Sequence, residues 1–166
     1  MEAGQKKAVL RLFTYGLYVV TCRQGAEWNG FTANWLTQVS FDPPLLAVSV
    51  ENDALSLGLI RGAGEFAVCV LKTGRRELAG RLGRSRRRAP GKLDGVEWLP
   101  VGAVAPDGSL TAPPIPADSL GYLRCALRGE TPAGDSTLLI AEIVGACLLQ
   151  PGEPLTMRET GFRHAG

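Results

Sequence analysis

The chain has 166 residues, 45% of them hydrophobic, with 18 lysines and arginines against 16 aspartates and glutamates. That length suits one domain, 1–166, with a sizeable core, and a net charge of +2 excludes a global pull towards nucleic acid or membrane. The 21 glycines and 11 prolines imply many turns and a β-rich fold.

Residues 5–13 read as a short amphipathic helix, with Val9, Leu10, Leu12 and Phe13 on one face and Lys6, Lys7 and Arg11 on the other. Gly16 ends it. Residues 17–22 (LYVVTC) are rich in β-branched and aromatic side chains and read as a buried strand. A turn follows over 23–27, then a returning strand pair over 29–40. Pro43 and Pro44 cannot donate to a ladder, so they mark a strand end before the apolar strand at 45–51. Residues 55–61 form a short helix that Gly62 and Gly64 stop. Residues 66–71 (FAVCVL) are another buried strand and 75–82 a short helix. The Gly- and Pro-rich span 94–116 reads as loop with brief strands, and 122–127 as a strand. Residues 137–149 (TLLIAEIVGACLL) fit helix or strand by periodicity alone; the turn PAGDS before them favours a strand of a hairpin.

Cys22, Cys69, Cys125 and Cys147 have no close ligand spacing, so no metal site is expected. They lie in or at the ends of apolar runs and read as buried, reduced thiols. No apolar run is long enough to cross a bilayer, and the first residues lack the apolar stretch of a signal peptide. A cytoplasmic protein with no membrane partner is the expectation.

The chain is organised around residues 29–56, where polar side chains gather at the ends of apolar strands: Thr32, Asn34 and Trp35, then Gln38 and Ser40, then Glu51, Asn52, Asp53 and Ser56. Such gathering fits a ligand site on a rigid sheet. Ordinary strand-end hydrogen bonding is the competing reading, and capping of the following helix competes for Ser56.

The segments YGLYVVT (15–21), NGFTANW (29–35), QVSFDPPLLAVSV (38–50), GAGEFAVCVL (62–71) and TAPPIPADSLGYLRCAL (111–127) resemble the flavin reductase-like family, and 154–166 resembles the tail of some members. The resemblance implies a mainly β, antiparallel six-stranded split barrel with Greek-key connections and short flanking helices. It implies an FMN-binding oxidoreductase, with FAD as an alternative flavin, that takes hydride from NAD(P)H. Electrons then pass to free flavin or to a protein acceptor such as a monooxygenase. A flavoredoxin-like FMN electron carrier without its own NAD(P)H activity is the alternative. The resemblance also implies a homodimer with FMN near the interface. It places Thr32, Ala33, Asn34 and Trp35 against the flavin, Ser40 beside them, and Asn52 and Ser56 at the phosphate end. Hydride chemistry belongs to the cofactor, so no catalytic side chain is expected. Ser136 stands where many members carry a histidine, and the single histidine, His164, lies near the C-terminus, where related tails often carry tyrosine.

The strongest local charge feature is Lys72, Arg75, Arg76, Arg81, Arg84, Arg86, Arg87, Arg88 and Lys92, with Glu77 the one acid among them. Three readings stay open: a solvated surface, a rim attracting phosphate or NAD(P)H, and a nucleic-acid patch. No aromatic residues interleave with the run in sequence, and no nucleic-acid partner is expected.

Overall fold

β-Branched runs become strands here because each finds a ladder partner on both sides and an apolar face to cover. The computed structural model describes residues 3–102 and 111–163. In chain order these form α1 (Ala3–Leu10), β1 (Tyr18–Gln24), β2 (Glu27–Ala33), β3 (Leu36–Phe41), β4 (Pro44–Glu51), α2 (Leu55–Ala63), β5 (Glu65–Leu71), α3 (Arg76–Leu82), β6 (Trp98–Leu99), β7 (Ile115–Pro116), β8 (Ser119–Ala133), β9 (Ser136–Leu148) and α4 (Met157–Thr160).

Seven strands make one antiparallel sheet in the order β2-β1-β5-β8-β9-β4-β3, and β6 and β7 pair separately. The two edges, β2 and β3, are consecutive in sequence and separated only by Asn34 and Trp35. So short a link forces the sheet to curl until its edges meet, yet they share no ladder. The mainly β antiparallel split barrel is therefore present, with seven strands in the main sheet where the resemblance implied six.

Alternation sorts the side chains into two cores. Val20 and Cys22 of β1, Val48 and Val50 of β4, Phe66 and Val68 of β5, and Leu139 and Ala141 of β9 point inward. Leu57, Leu59 and Ile60 of α2 close over them. The opposite face of β1 and β5 carries Val19, Ala67, Cys69 and Leu71, which pack against Ala79 and Leu82 of α3, Ile115 and Leu155. Gly30 of β2 is needed for this second core, because a Cβ there would stand 3.3 Å from the Trp98 ring.

Residues 137–149, ambiguous by periodicity, are strand: β9 pairs with β4 on one side and β8 on the other. β8 is longer than its apolar pattern suggested. Beyond Leu127 it becomes the solvated half of a hairpin, with Arg128 bound to Glu142 at 2.7 Å and the turn closed by Gly134 at φ 70°. The N-terminal helix also differs from expectation, since α1 ends at Leu10. Val9, Leu12 and Phe13, expected to share a buried face, are 56%, 80% and 57% exposed. Leu12 and Phe13 fall in the turn after the helix, so no continuous apolar face forms on α1.

Cys22, Cys69 and Cys125 are buried free thiols as expected, whereas Cys147 is exposed on the outer part of β9. Burial pushes Cys22 up to about 11, and Cys69 and Cys125 up to about 12. In the unfolded chain these thiols ionise from their ordinary value of 9.0, so above that pH the unfolded state holds fewer protons and stability falls. Lys92 acts oppositely: burial and then the Arg86 charge bring it from 10.5 down to about 8, so its penalty is complete below pH 8 and is relieved above. Three thiols outweigh one lysine. The unfolding free energy should therefore fall from about pH 9 upward, by about 1.4 kcal/mol for each pH unit per thiol, partly offset by Lys92. Flat stability from pH 9 to 11 would contradict this burial.

Candidate functional site

The seam between β2 and β3 opens on a cleft of about 370 Å³. Its walls and floor come from four places in the chain. Thr14, Tyr15 and Gly16 lead into β1; Asn34, Trp35, Leu36 and Thr37 bridge the two sheet edges; Ala47 and Ser49 of β4 and Leu138 of β9 form the floor. The floor residues follow from alternation: Leu46, Val48 and Val50 point into the barrel, so Ala47 and Ser49 point out. The Ser49 amide donates to the Trp35 carbonyl at 3.0 Å, which ties the bridge to β4. In the 14–16 wall, Gly16 is closely packed, since a Cβ there would clash with the Tyr18 side chain. An isolated bridge also joins Gly16 to Thr156.

The lining contains no acid, base, histidine or cysteine. It offers two aromatic rings, three aliphatic side chains, the hydroxyls of Thr14, Thr37 and Ser49, and one amide. Asn34 Nδ2 is buried without an acceptor among the described residues. An unpaired buried donor costs roughly 1–3 kcal/mol. That cost is understandable where a ligand completes the bond. A planar group with hydrogen-bonding edges suits this set: aromatic and aliphatic walls, a few polar atoms, no formally charged side chain.

The sequence-predicted residues separate into three groups. Asn34 and Trp35 line the cleft, with Trp35 38% exposed. Thr32 and Ala33 lie just before it. The Thr32 hydroxyl donates to the Ala79 carbonyl at 2.7 Å, fastening α3 to β2, and Ala33 is in the barrel core. Ser40, Asn52 and Ser56 lie elsewhere. Ser40 follows an irregularity in β3, where its carbonyl accepts from Gln38 Nε2 at 3.2 Å. Asn52 borders a separate hollow with Glu51, Asp53 and Asp135, and its amide is already bonded to the Gly134 carbonyl and the Thr137 hydroxyl. Three neighbouring carboxyl groups oppose a phosphate there. Ser56 is 1% exposed and its hydroxyl accepts from Asn29 Nδ2 at 2.9 Å, so it neither faces the cleft nor caps α2, whose N-cap is Ala54. The phosphate-end assignment of Asn52 and Ser56 is thus not supported by their surroundings.

Sequence reasoning missed Tyr15, Thr37, Ser49 and Leu138. Ser49 carried a signal, as the one polar residue inside LLAVSV. Leu138 did not, because an outward leucine on β9 looks like any strand residue. Ser136 is buried and donates to Asp135 Oδ1 at 3.2 Å, and His164 lies outside the described residues.

Comparison with known proteins agrees with the geometry. The family model described as a flavin reductase like domain matches residues 10–166. The chain is 32% identical to the high molecular weight rubredoxin of Moorella thermoacetica, spanning 89% of this chain but only 62% of that protein. It is 29% identical to the reductase component of 4-hydroxyphenylacetate 3-monooxygenase of Thermus thermophilus, covering 98% of this chain and 96% of that one. Among solved structures, it resembles the Streptomyces globisporus NADH:FAD oxidoreductase in complex with NAD and FAD fragments. That match has a TM-score of 0.74 and 27% identity, and covers 94% of this chain and 90% of the other.

The two polar residues nearest the seam should respond oppositely to truncation. Thr32→Val removes the α3 tether and should lower stability by about 1 kcal/mol. Asn34→Ala removes an unpaired donor and should leave the thermal midpoint unchanged or raised. Equal losses in both variants would show that Asn34 serves the fold rather than a ligand.

Proposed function

The chain belongs to the flavin reductase-like family, and from that premise we propose that the cleft at the β2–β3 seam holds FMN, or FAD, for reduction by NAD(P)H. The reading rests on one observation above others: a neutral, partly aromatic cleft whose buried amide donor lacks an acceptor. Bound flavin supplies the hydride-accepting chemistry. The chain's own residues bind and orient. Tyr15 and Trp35 offer aromatic surface, and Leu36, Ala47 and Leu138 exclude water. Asn34 Nδ2 donates towards an acceptor edge of the ring system, where negative charge accumulates on reduction. Thr37 and Ser49 add hydroxyls, while Thr32 and Ala33 hold the seam in place from α3 and the core. No carboxylate, histidine, cysteine, lysine or arginine is among the residues lining the cleft.

A chain holding flavin here would supply reducing equivalents to free flavin or to a protein acceptor. The reductase component from Thermus thermophilus, matched over nearly its full length, supports a monooxygenase as that acceptor. A homodimer is supported by apolar side chains with no partner in the chain, including Phe41 at 90% and Leu148 at 83% exposure. Among the described residues no helix is long and apolar enough to cross a membrane, and three buried free thiols fit a reducing compartment; we place the protein in the cytoplasm. One unit, 1–166, carries the whole site.

A second reading is favoured by Ser136. Where the family resemblance implies a histidine, this chain buries a hydroxyl bonded to its neighbour. A flavin-binding electron carrier reduced by another protein follows from that loss.

Steady-state oxidation of NADH and NADPH with added FMN separates the two. We expect one nucleotide to be consumed well above the free-flavin background. Asn34→Ala should weaken FMN binding about 10-fold, the worth of roughly one hydrogen bond between neutral groups. Tight FMN binding without nucleotide oxidation would select the carrier. No FMN binding at all would remove both.

A further inference from the structure

The 14–16 wall of the cleft belongs to no strand. Thr14, Tyr15 and Gly16 precede β1, whose ladder begins at Tyr18. Among the described residues, the one β-pairing of this wall is the isolated bridge from Gly16 to Thr156. Leu17 and Leu155, the neighbours of the bridged residues, are both buried in the second core. The position of the wall therefore depends on the position of Thr156.

Thr156 sits in a segment fastened on both sides. Before it, the Thr73 amide donates to the Glu153 carbonyl at 2.8 Å, Pro154 bridges to Lys72, and the Leu155 amide donates to the Leu71 carbonyl at 2.8 Å. After it, Thr156 caps α4, its hydroxyl accepting from the Glu159 amide at 3.2 Å. A helix as short as α4 does not hold itself. It is clasped from outside. The Glu159 carboxylate accepts from the Thr73 hydroxyl and from the Gly74 amide, each at 2.8 Å. Arg76 donates through Nε to the Thr160 carbonyl at 2.6 Å, and its guanidinium lies over the Phe162 ring at 5.1 Å. Phe162 rests on α3, where a Cβ at Gly80 would come within 3.0 Å of its ring.

The far end of the clasp leads back to the seam. The Thr32 hydroxyl, two residues before Asn34, fastens α3 to β2 through the Ala79 carbonyl. One segment, 153–162, thus reaches the 14–16 wall directly and the β2 side of the cleft through α3. Leu155 and Thr160, each 2% exposed, anchor it at two points. The solvent-exposed Glu159 contacts fix the turn between them. Exposed bonds of this kind add little to global stability, but they set how readily a local segment opens.

We propose that Glu159 is a positioning residue for the cleft: by clasping the 73–74 turn it holds Thr156, and through Thr156 the wall formed by Thr14, Tyr15 and Gly16. This role rests on the flavin reading of the cleft given above. Glu159 is not among the lining residues, so it acts through the bridge rather than by touching a ligand.

The test uses the intact protein and two variants. Glu159→Ala and Glu159→Gln remove the same charge, but only glutamine keeps a side-chain oxygen for the Gly74 amide. In the flavin-free protein, amide exchange at 14–17 should quicken at least about 10-fold in Glu159→Ala and stay near the wild-type rate in Glu159→Gln, with β1 beyond Val20 unchanged. FMN affinity, read by flavin fluorescence, should fall about 5-fold in Glu159→Ala and by less than about 2-fold in Glu159→Gln. Glu130→Ala, which breaks the exposed pair with Arg61 of α2, should alter neither readout. Equal effects of alanine and glutamine at 159 would reduce the change to lost charge and overturn the proposal. Faster exchange throughout β1 would show a general loss of stability and also overturn it. Unchanged exchange at 14–17, or faster exchange there with unchanged FMN affinity, would overturn it while leaving the flavin reading intact. A wild type that binds no FMN would defeat the flavin reading and this role with it.

Discussion

Everything in this fold follows from a short link. β2 and β3 are the two edges of the sheet, and Asn34 and Trp35 are all that separates them. A flat sheet of this order cannot bring its first and last strands together. Curling does so, and it wraps the inward residues of β1, β4, β5 and β9 around one core. Because the edges meet without pairing, the backbone at the seam is not consumed by a ladder. That gap is where the cleft opens, with β4 and β9 as a rigid floor. The scaffold is paired throughout, and the site lies at its one unpaired join.

The same arrangement explains why the site is chemically quiet. Its walls are strand residues alternating with core residues, and alternation gives small or aliphatic side chains beside isolated hydroxyls. A reaction carried by a cofactor needs orientation, dryness and a few hydrogen bonds more than it needs acids or bases. The acidic hollow at Glu51, Asp53 and Asp135 is separate from these walls, and none of the residues lining the cleft carries a formal charge.

Much of this was legible in the sequence. LYVVTC, LLAVSV and FAVCVL read as buried strands and are buried strands, because β-branched runs of that length have few other fates. The TANW motif marked the seam, and Asn34 and Trp35 are in the cleft. What the sequence concealed was contact at long range. Ser56 looked like a site residue or a cap, but a buried amide twenty-seven positions earlier claims its hydroxyl. Asn52 looked available, yet the β8–β9 turn takes both ends of its amide. Leu138 and Tyr15 entered the site only through the fold of the sheet around them. The arginine run also changed meaning, since aromatic residues absent from the run in sequence are brought beneath it as Trp28 and Trp98.

The proposed function places flavin at the seam. Amide hydrogen exchange with and without saturating FMN tests it directly. Added protection is expected in three separate segments, 14–16, 34–37 and 47–49, with little change at 51–53. Protection centred on Glu51, Asp53 and Asp135, or on the arginine turn, with the seam unaffected, would contradict it.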